Sequence, residues 1–166
     1  MSDDLSHLAL ALVKTHQTMV TVESCTGGLL GSMLTSHSGA SKWYYGGWIT
    51  YSNLSKSTWL RIAKEQIDAH GSVSLPVTDA LAIQALEHCP SDFVLAITGY
   101  AEMDECHSDQ AGRIYVVARH RSGHSRSYCY QLNGLRTEIQ QQACLHALRD
   151  FINFVQYIAH LNETPS

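Results

Sequence analysis

Several absences narrow the reading of this chain before any motif is considered. There is no Lys/Arg block and the formal net charge is −4. Nucleic acid and anionic membrane surfaces both require a basic face, so neither is an expected partner. No apolar run approaches the roughly 20 residues that cross a bilayer. The five cysteines, Cys25, Cys89, Cys106, Cys129 and Cys144, are odd in number and scattered. Lacking C-x-x-C spacing, they indicate neither a disulfide framework nor a zinc site, and a reducing cytosol is the expected setting. The opening "MSDDLSHLALALVKTH" carries acids where a secretory leader carries bases, and reads as no leader.

What is present is an ordinary globular balance, 45% hydrophobic and 16% charged over 166 residues. That suits one domain with a real core. Leu5, Leu8, Leu10, Leu12 and Val13 fit an amphipathic first helix, with Ser2 or Asp3 as cap. "MVTV" (19–22) reads as a short buried strand, and Leu29, Leu30, Met33 and Leu34 repeat at helical spacing. "WYYGGWITYS" (43–52) predicts a strand despite two glycines, and "NLSKSTWLRI" a short helix capped by Asn53. The glycine-flanked aromatics of that strand suit either the core or a contact between copies in a homo-oligomer. "SLPVTDALAIQALEHC" (74–89) predicts a helix with Ser74 as cap and proline in its first turn. "DFVLAIT" (92–98) is apolar throughout, as in a central strand covered on both faces.

A polar loop follows over 99–111, then two strands about Ser122-Gly123, expected to form a hairpin. The pattern is helical from about Leu135, with a frayed tail from about 160 to 166. Helices interleaved with buried strands argue for a single three-layer α/β/α domain with a mixed sheet.

The stretch "TVESCTGGLLGSML" (21–34) carries the chemistry. A strand that turns sharply into a helix exposes its corner residue. The helix's first N–H groups lack intrahelical partners there and can hold an anion or a developing oxyanion. Ser24 at such a corner can act as a nucleophile, with amides around Thr26, Gly27 and Gly28 stabilising the oxyanion. The α/β-hydrolase elbow uses the same device, but its G-x-S-x-G is missing. Simple helix capping accounts for the same residues. Cys25 is a rival nucleophile, or a small buried hydrophobe. For a base, none of the ten histidines sits in a triad motif. In "TYSNLSK" a strand ends near Tyr51 and Lys56 follows inside the next helix. Successive α/β units bring strand ends to one edge of the sheet, so Lys56 and Tyr51 can reach Ser24. A desolvated lysine can take a serine proton; a solvated lysine is the alternative.

"ESCTGG", "TYSNLSK", "HGSVS" and "AITG", in that order and spacing, resemble the CinA C-terminal domain family from about Leu8 to Phe151. Stand-alone members of that family are nicotinamide-nucleotide amidases. The resemblance implies Ser24 as nucleophile, Lys56 as base and Tyr51 beside them. It implies hydrolysis of the carboxamide of nicotinamide mononucleotide to nicotinic acid mononucleotide and ammonia, with no metal or organic cofactor. Thr98, Gly99 and Arg136 are further expected site residues.

The chain also departs from the family pattern. Where the family continues with G-P-x-G-G, this chain has "YAEMDECHSDQ", bringing Glu102, Asp104, Glu105 and Asp109. The second arginine of a family R-x-x-x-R is Gln140. An acidic loop repels a phosphate that bare amides would attract, so weak affinity for the mononucleotide is expected. The cluster of Asp104, Glu105, Cys106, His107 and Asp109 matches no established metal motif. A paralogue with the same fold but another ligand, or a role as an interaction module, is the alternative reading.

Overall fold

The computed structural model describes residues 2–102 and 110–163. In chain order the elements are α1 (Ser2–Lys14), β1 (Met19–Glu23), α2 (Leu29–Thr35), β2 (Tyr44–Ile49), α3 (Asn53–Leu60), α4 (Lys64–His70) and α5 (Leu75–His88). β3 (Phe93–Gly99), β4 (Arg113–His120), β5 (Ser125–Gln131) and α6 (Arg136–Glu163) follow, and a 3₁₀ turn at Ala40–Lys42 precedes β2. The strands form one sheet in the order β2-β1-β3-β4-β5. β1 runs parallel to β2 and β3, while β3–β4 and β4–β5 are antiparallel. This is the expected mixed sheet, with the hairpin supplying its antiparallel part.

Two cores make the three layers. β3 alternates between them because successive side chains of a strand point to opposite faces. Phe93, Leu95 and Ile97 join Leu8, Leu12, Leu30, Ala143 and Phe151 on the side of α1, α2 and α6. Val94 and Ala96 join Val20, Val22, Leu60, Val77 and Leu81 on the side of α3, α4 and α5. The first helix turns Leu5, Leu8 and Leu12 inward as expected, but Leu10 and Val13 face solvent.

The aromatic stretch is shorter as a strand than its composition predicts. Trp43 is buried in the core, Tyr45 is exposed, and pairing ends at Ile49. The register against β1 slips between Met19↔Tyr44 and Val20↔Gly46, where Gly46 takes φ +141°. A Cβ on Gly47 would lie 2.1 Å from Thr21 Oγ1. Both glycines are therefore requirements of this bulged edge strand.

Three other expectations are corrected. The short helix is capped by Ser52 rather than Asn53: Ser52 Oγ accepts from the Ser55 amide at 3.1 Å, and Ser55 Oγ accepts from the Ser52 amide. α4 lies in a stretch that gave no helical signal. The helix expected to fray near 160 continues to Glu163. No helix among the described residues is long and apolar enough to cross a membrane.

Candidate active site

The carboxyl ends of β1, β2 and β3 share one edge of the sheet, and the candidate site is built there. β1 ends at Glu23 and the chain turns through residues 24 to 28 into α2. The turn is tied to both neighbouring strands. The Ser24 amide donates to Ile97 O on β3 at 3.0 Å, and the Thr50 amide, just past β2, donates to Glu23 O at 2.7 Å.

Thr50 O then accepts from Lys56 Nζ at 2.9 Å, and the same Nζ lies 3.3 Å from Ser24 Oγ. Ser24 and Lys56, expected to meet, thus do so through the strand order β2-β1-β3. Lys56 is 1% exposed. Burial lowers its ammonium below the usual lysine range. Among the described residues no carboxylate contacts it to hold the proton on.

Glu23 governs the turn. Its carboxylate is 2% exposed. Oε2 accepts from Thr26 Oγ1 at 2.7 Å and from the Gly28 and Leu30 amides at 3.0 Å each; Oε1 accepts from the Gly31 amide at 2.8 Å. The positive end of α2 is therefore already occupied by an acid of the chain itself. This corrects the expected oxyanion donors. The Gly28 amide is spent on Glu23 and the Gly27 amide on Ser24 O at 3.1 Å. Within the turn, the amides of Cys25 and Thr26, directly after the serine, have no oxygen acceptor among the described residues.

A cleft of about 320 Å³ opens over Ser24 and is lined by Cys25, Tyr51, Gly99, Tyr100, Ala101, Glu102 and Arg136 besides. Lys56 lies beneath it, out of contact with solvent. Tyr51 is exposed at the rim and accepts a hydrogen bond from Arg136 Nη2 at 2.6 Å. Arg136 Nη1 is bonded to Glu102. Of the acidic loop only Glu102 belongs to the described residues; Asp104, Glu105, Cys106, His107 and Asp109 lie outside them.

Thr98 does not line the cleft. Its hydroxyl is fully buried on the opposite face of β3, 2.7 Å from Thr78 Oγ1 of α5. Gly99 does line it, and a Cβ there would lie 3.1 Å from Cys25 Sγ and 2.3 Å from Ile114 Cδ1. Burial pushes the Cys25 thiol up to about 12, contrary to the lowering expected at a helix start. The helix's positive end is spent on Glu23, and the thiol is desolvated.

Two residues of the site escaped the sequence reading. Glu23 reads as an ordinary acid beside a helix start. Gln140, noted only as a missing arginine, donates from Nε2 to Cys25 O at 2.8 Å and anchors the turn to α6.

The chain has relatives among known proteins. The model of the CinA C-terminal domain matches residues 3–155. A nicotinamide-nucleotide amidohydrolase PncC of Escherichia coli K12 is 34% identical over 136 residues, covering 80% of this chain and 81% of that protein. A CinA-like protein of Prochlorococcus marinus is 36% identical over 150 residues, covering 87% of this chain but 35% of the relative. The chain thus spans about a third of the length of the CinA-like relative and most of the amidohydrolase. Two Klebsiella pneumoniae structures superpose with TM-scores of 0.86 and 0.87 at 25% identity; one is described as competence damage-inducible protein A, the other as a CinA superfamily protein. The first covers 96% of this chain and 97% of that structure, the second 94% and 98%. With the domain model matched over residues 3–155 and the amidohydrolase 34% identical over four fifths of both chains, the chain belongs to the family of the CinA C-terminal domain.

Proposed function

We propose that this protein is a serine amidase that hydrolyses the carboxamide of nicotinamide mononucleotide to nicotinic acid mononucleotide and ammonia. The observation that carries the reading is the buried Lys56 Nζ, 3.3 Å from Ser24 Oγ with Thr50 O as its second partner. A neutral lysine amine accepts the Ser24 proton while Oγ attacks the carboxamide carbon. The Cys25 and Thr26 amides receive the oxyanion. The lysine then passes the proton to the departing nitrogen, and ammonia leaves an acyl-serine ester. Water, deprotonated by the same amine, attacks that ester; the acid leaves and Ser24 recovers its proton. Lys56 accepts one proton in each attack and returns it in each collapse.

Cys25 is the less favoured nucleophile, because burial raises its thiol and the Lys56 amine lies against Ser24 Oγ. One observation favours a second reading, a paralogue that binds another ligand without this turnover: the cleft's arginine is already paired with Glu102.

An ammonia-release assay with nicotinamide mononucleotide, run beside nicotinamide riboside, tests the activity. Ser24→Ala is expected to reduce release by about 10³-fold or more while leaving the melting temperature within a few degrees. Absence of ammonia from both compounds with the intact protein sinks the amidase reading.

A further inference from the structure

The cleft over Ser24 contains one cationic side chain among the described residues that line it, Arg136 at the start of α6. Both terminal nitrogens of its guanidinium are in use: Nη1 on the Glu102 carboxylate and Nη2 on Tyr51 Oη. Lys56 adds no fixed positive charge at the surface of the cleft, since it is buried beneath it. Among the described residues of its lining, one acid therefore faces one base. An anionic group that engages the same guanidinium fork competes for it with Glu102.

We infer that Glu102 is a specificity-determining residue: its carboxylate stands in for the anionic group of a substrate and competes with it for Arg136. The inference deepens the amidase reading and rests on it for the identity of the substrates. Competition has two parts. The incoming phosphate replaces the carboxylate on the guanidinium fork, which matches either group bidentately. The displaced carboxylate remains on the lining, close to the bound dianion, and like charges repel. Nicotinamide riboside, which shares the cationic pyridinium ring but has no phosphate, meets neither penalty, because it needs nothing from Arg136. Glu102 and Arg136 have 59% and 36% exposed side chains. An ion pair so open to solvent is weak and exchanges readily, so Glu102 discriminates against a phosphate without closing the site.

The observable consequence is a ratio. Glu102→Gln removes the charge and keeps the shape, and shifts the preference for nicotinamide mononucleotide over nicotinamide riboside about tenfold toward the mononucleotide. The shift falls in Kd and KM rather than kcat, and shrinks with added salt. Calorimetric titration of both compounds into Ser24→Ala, with and without Glu102→Gln, reads it without turnover. A ratio unchanged by Glu102→Gln, in a protein whose Ser24-intact form releases ammonia, overturns the inference and leaves the amidase reading intact. If the intact protein releases ammonia from neither compound, the amidase reading is what fails. The role of Glu102 is then read with inorganic phosphate, followed through the Arg136 Nε–H resonance. Tighter phosphate binding in Glu102→Gln supports the competition, and identical binding in the two proteins overturns it.

Discussion

The two ends of the parallel strands β2, β1 and β3 use polar groups in opposite ways. At the amino end, the Thr18 amide donates to Asp92 Oδ2 at 2.8 Å. Arg121 donates from Nη2 to the carbonyls of Leu86, Cys89 and Ser91 at 3.0, 2.6 and 2.6 Å, closing the last turn of α5. Each of these bonds has a backbone group at one end, so its geometry is set by the fold. At the carboxyl end, a lysine is buried with no counter-charge in contact among the described residues, and an arginine is shared between two side chains. An arginine bound to carbonyls stabilises the chain and can do little else. One held by side chains can change partner. On the proposed reading, the difference sets stability at one end and chemistry at the other.

The sharpest test of that division is Lys56. Lys56→Arg is expected to lower ammonia release by about 10²–10⁴-fold, close to the loss in Lys56→Met, because a guanidinium does not deprotonate in a protein. For the unaltered protein, activity rises with pH as the amine loses its proton, with an apparent pKa below that of an ordinary lysine. Stability follows the same sign. A lysine whose folded pKa is depressed binds fewer protons in the native state than in the unfolded chain. Stability therefore increases with pH between the lowered value and the ordinary one. A pH–rate profile whose rising limb sits at the ordinary lysine value would contradict this.

Glu23 blurs the division, since it lies at the chemical end but bonds mostly to backbone. Glu23→Gln places an amide N–H against at least one of four donors. We expect a cost of about 1–3 kcal/mol in denaturant unfolding, together with reduced kcat. Loss of stability with kcat intact would show that the turn does not depend on Glu23 for its shape. Arg121→Ala should cost about 2 kcal/mol and lower the melting temperature by about 4–8 °C, with kcat retained. A kcat change there would break the comparison outright. The smallest effect belongs to Cys25→Ala, expected to alter kcat by less than about threefold, as removal of a packed, unreactive thiol would. A loss as large as that of Ser24→Ala would transfer the chemistry to Cys25.

Much of this was legible in the chain because local signals and global fold agree. Ser74 with its proline announced α5, whose cap accepts from the Val77 amide as expected. The unbroken apolar run of β3 announced a strand between two cores. The pairing of Ser24 with Lys56 followed from two consecutive strand-to-helix corners on neighbouring parallel strands. α4 was not legible: "KEQIDAH" buries one residue, Ile67, and its cap, Ala63, offers no side-chain acceptor. Thr98 was misplaced for lack of a register. Period-two alternation sets it on the face of Val94 and Ala96, toward Thr78, while Gly99 comes to the cleft. Glu23 was missed because an acid beside a helix start looks the same in sequence whether it points to water or folds back over the helix.

The tight approach of Gly99 to Cys25 also decides how the protein meets oxidants and alkylating reagents. Burial holds the thiol well above its usual range, so little of it is thiolate, the form that reacts. The sulfur beside the candidate nucleophile is therefore a shielded one. Iodoacetamide or peroxide would first meet Cys129, the exposed cysteine of β5 among the described residues, on a strand remote in sequence from the serine corner. On the proposed reading, activity is expected to persist without a reductant, although a cysteine directly follows Ser24 in the chain.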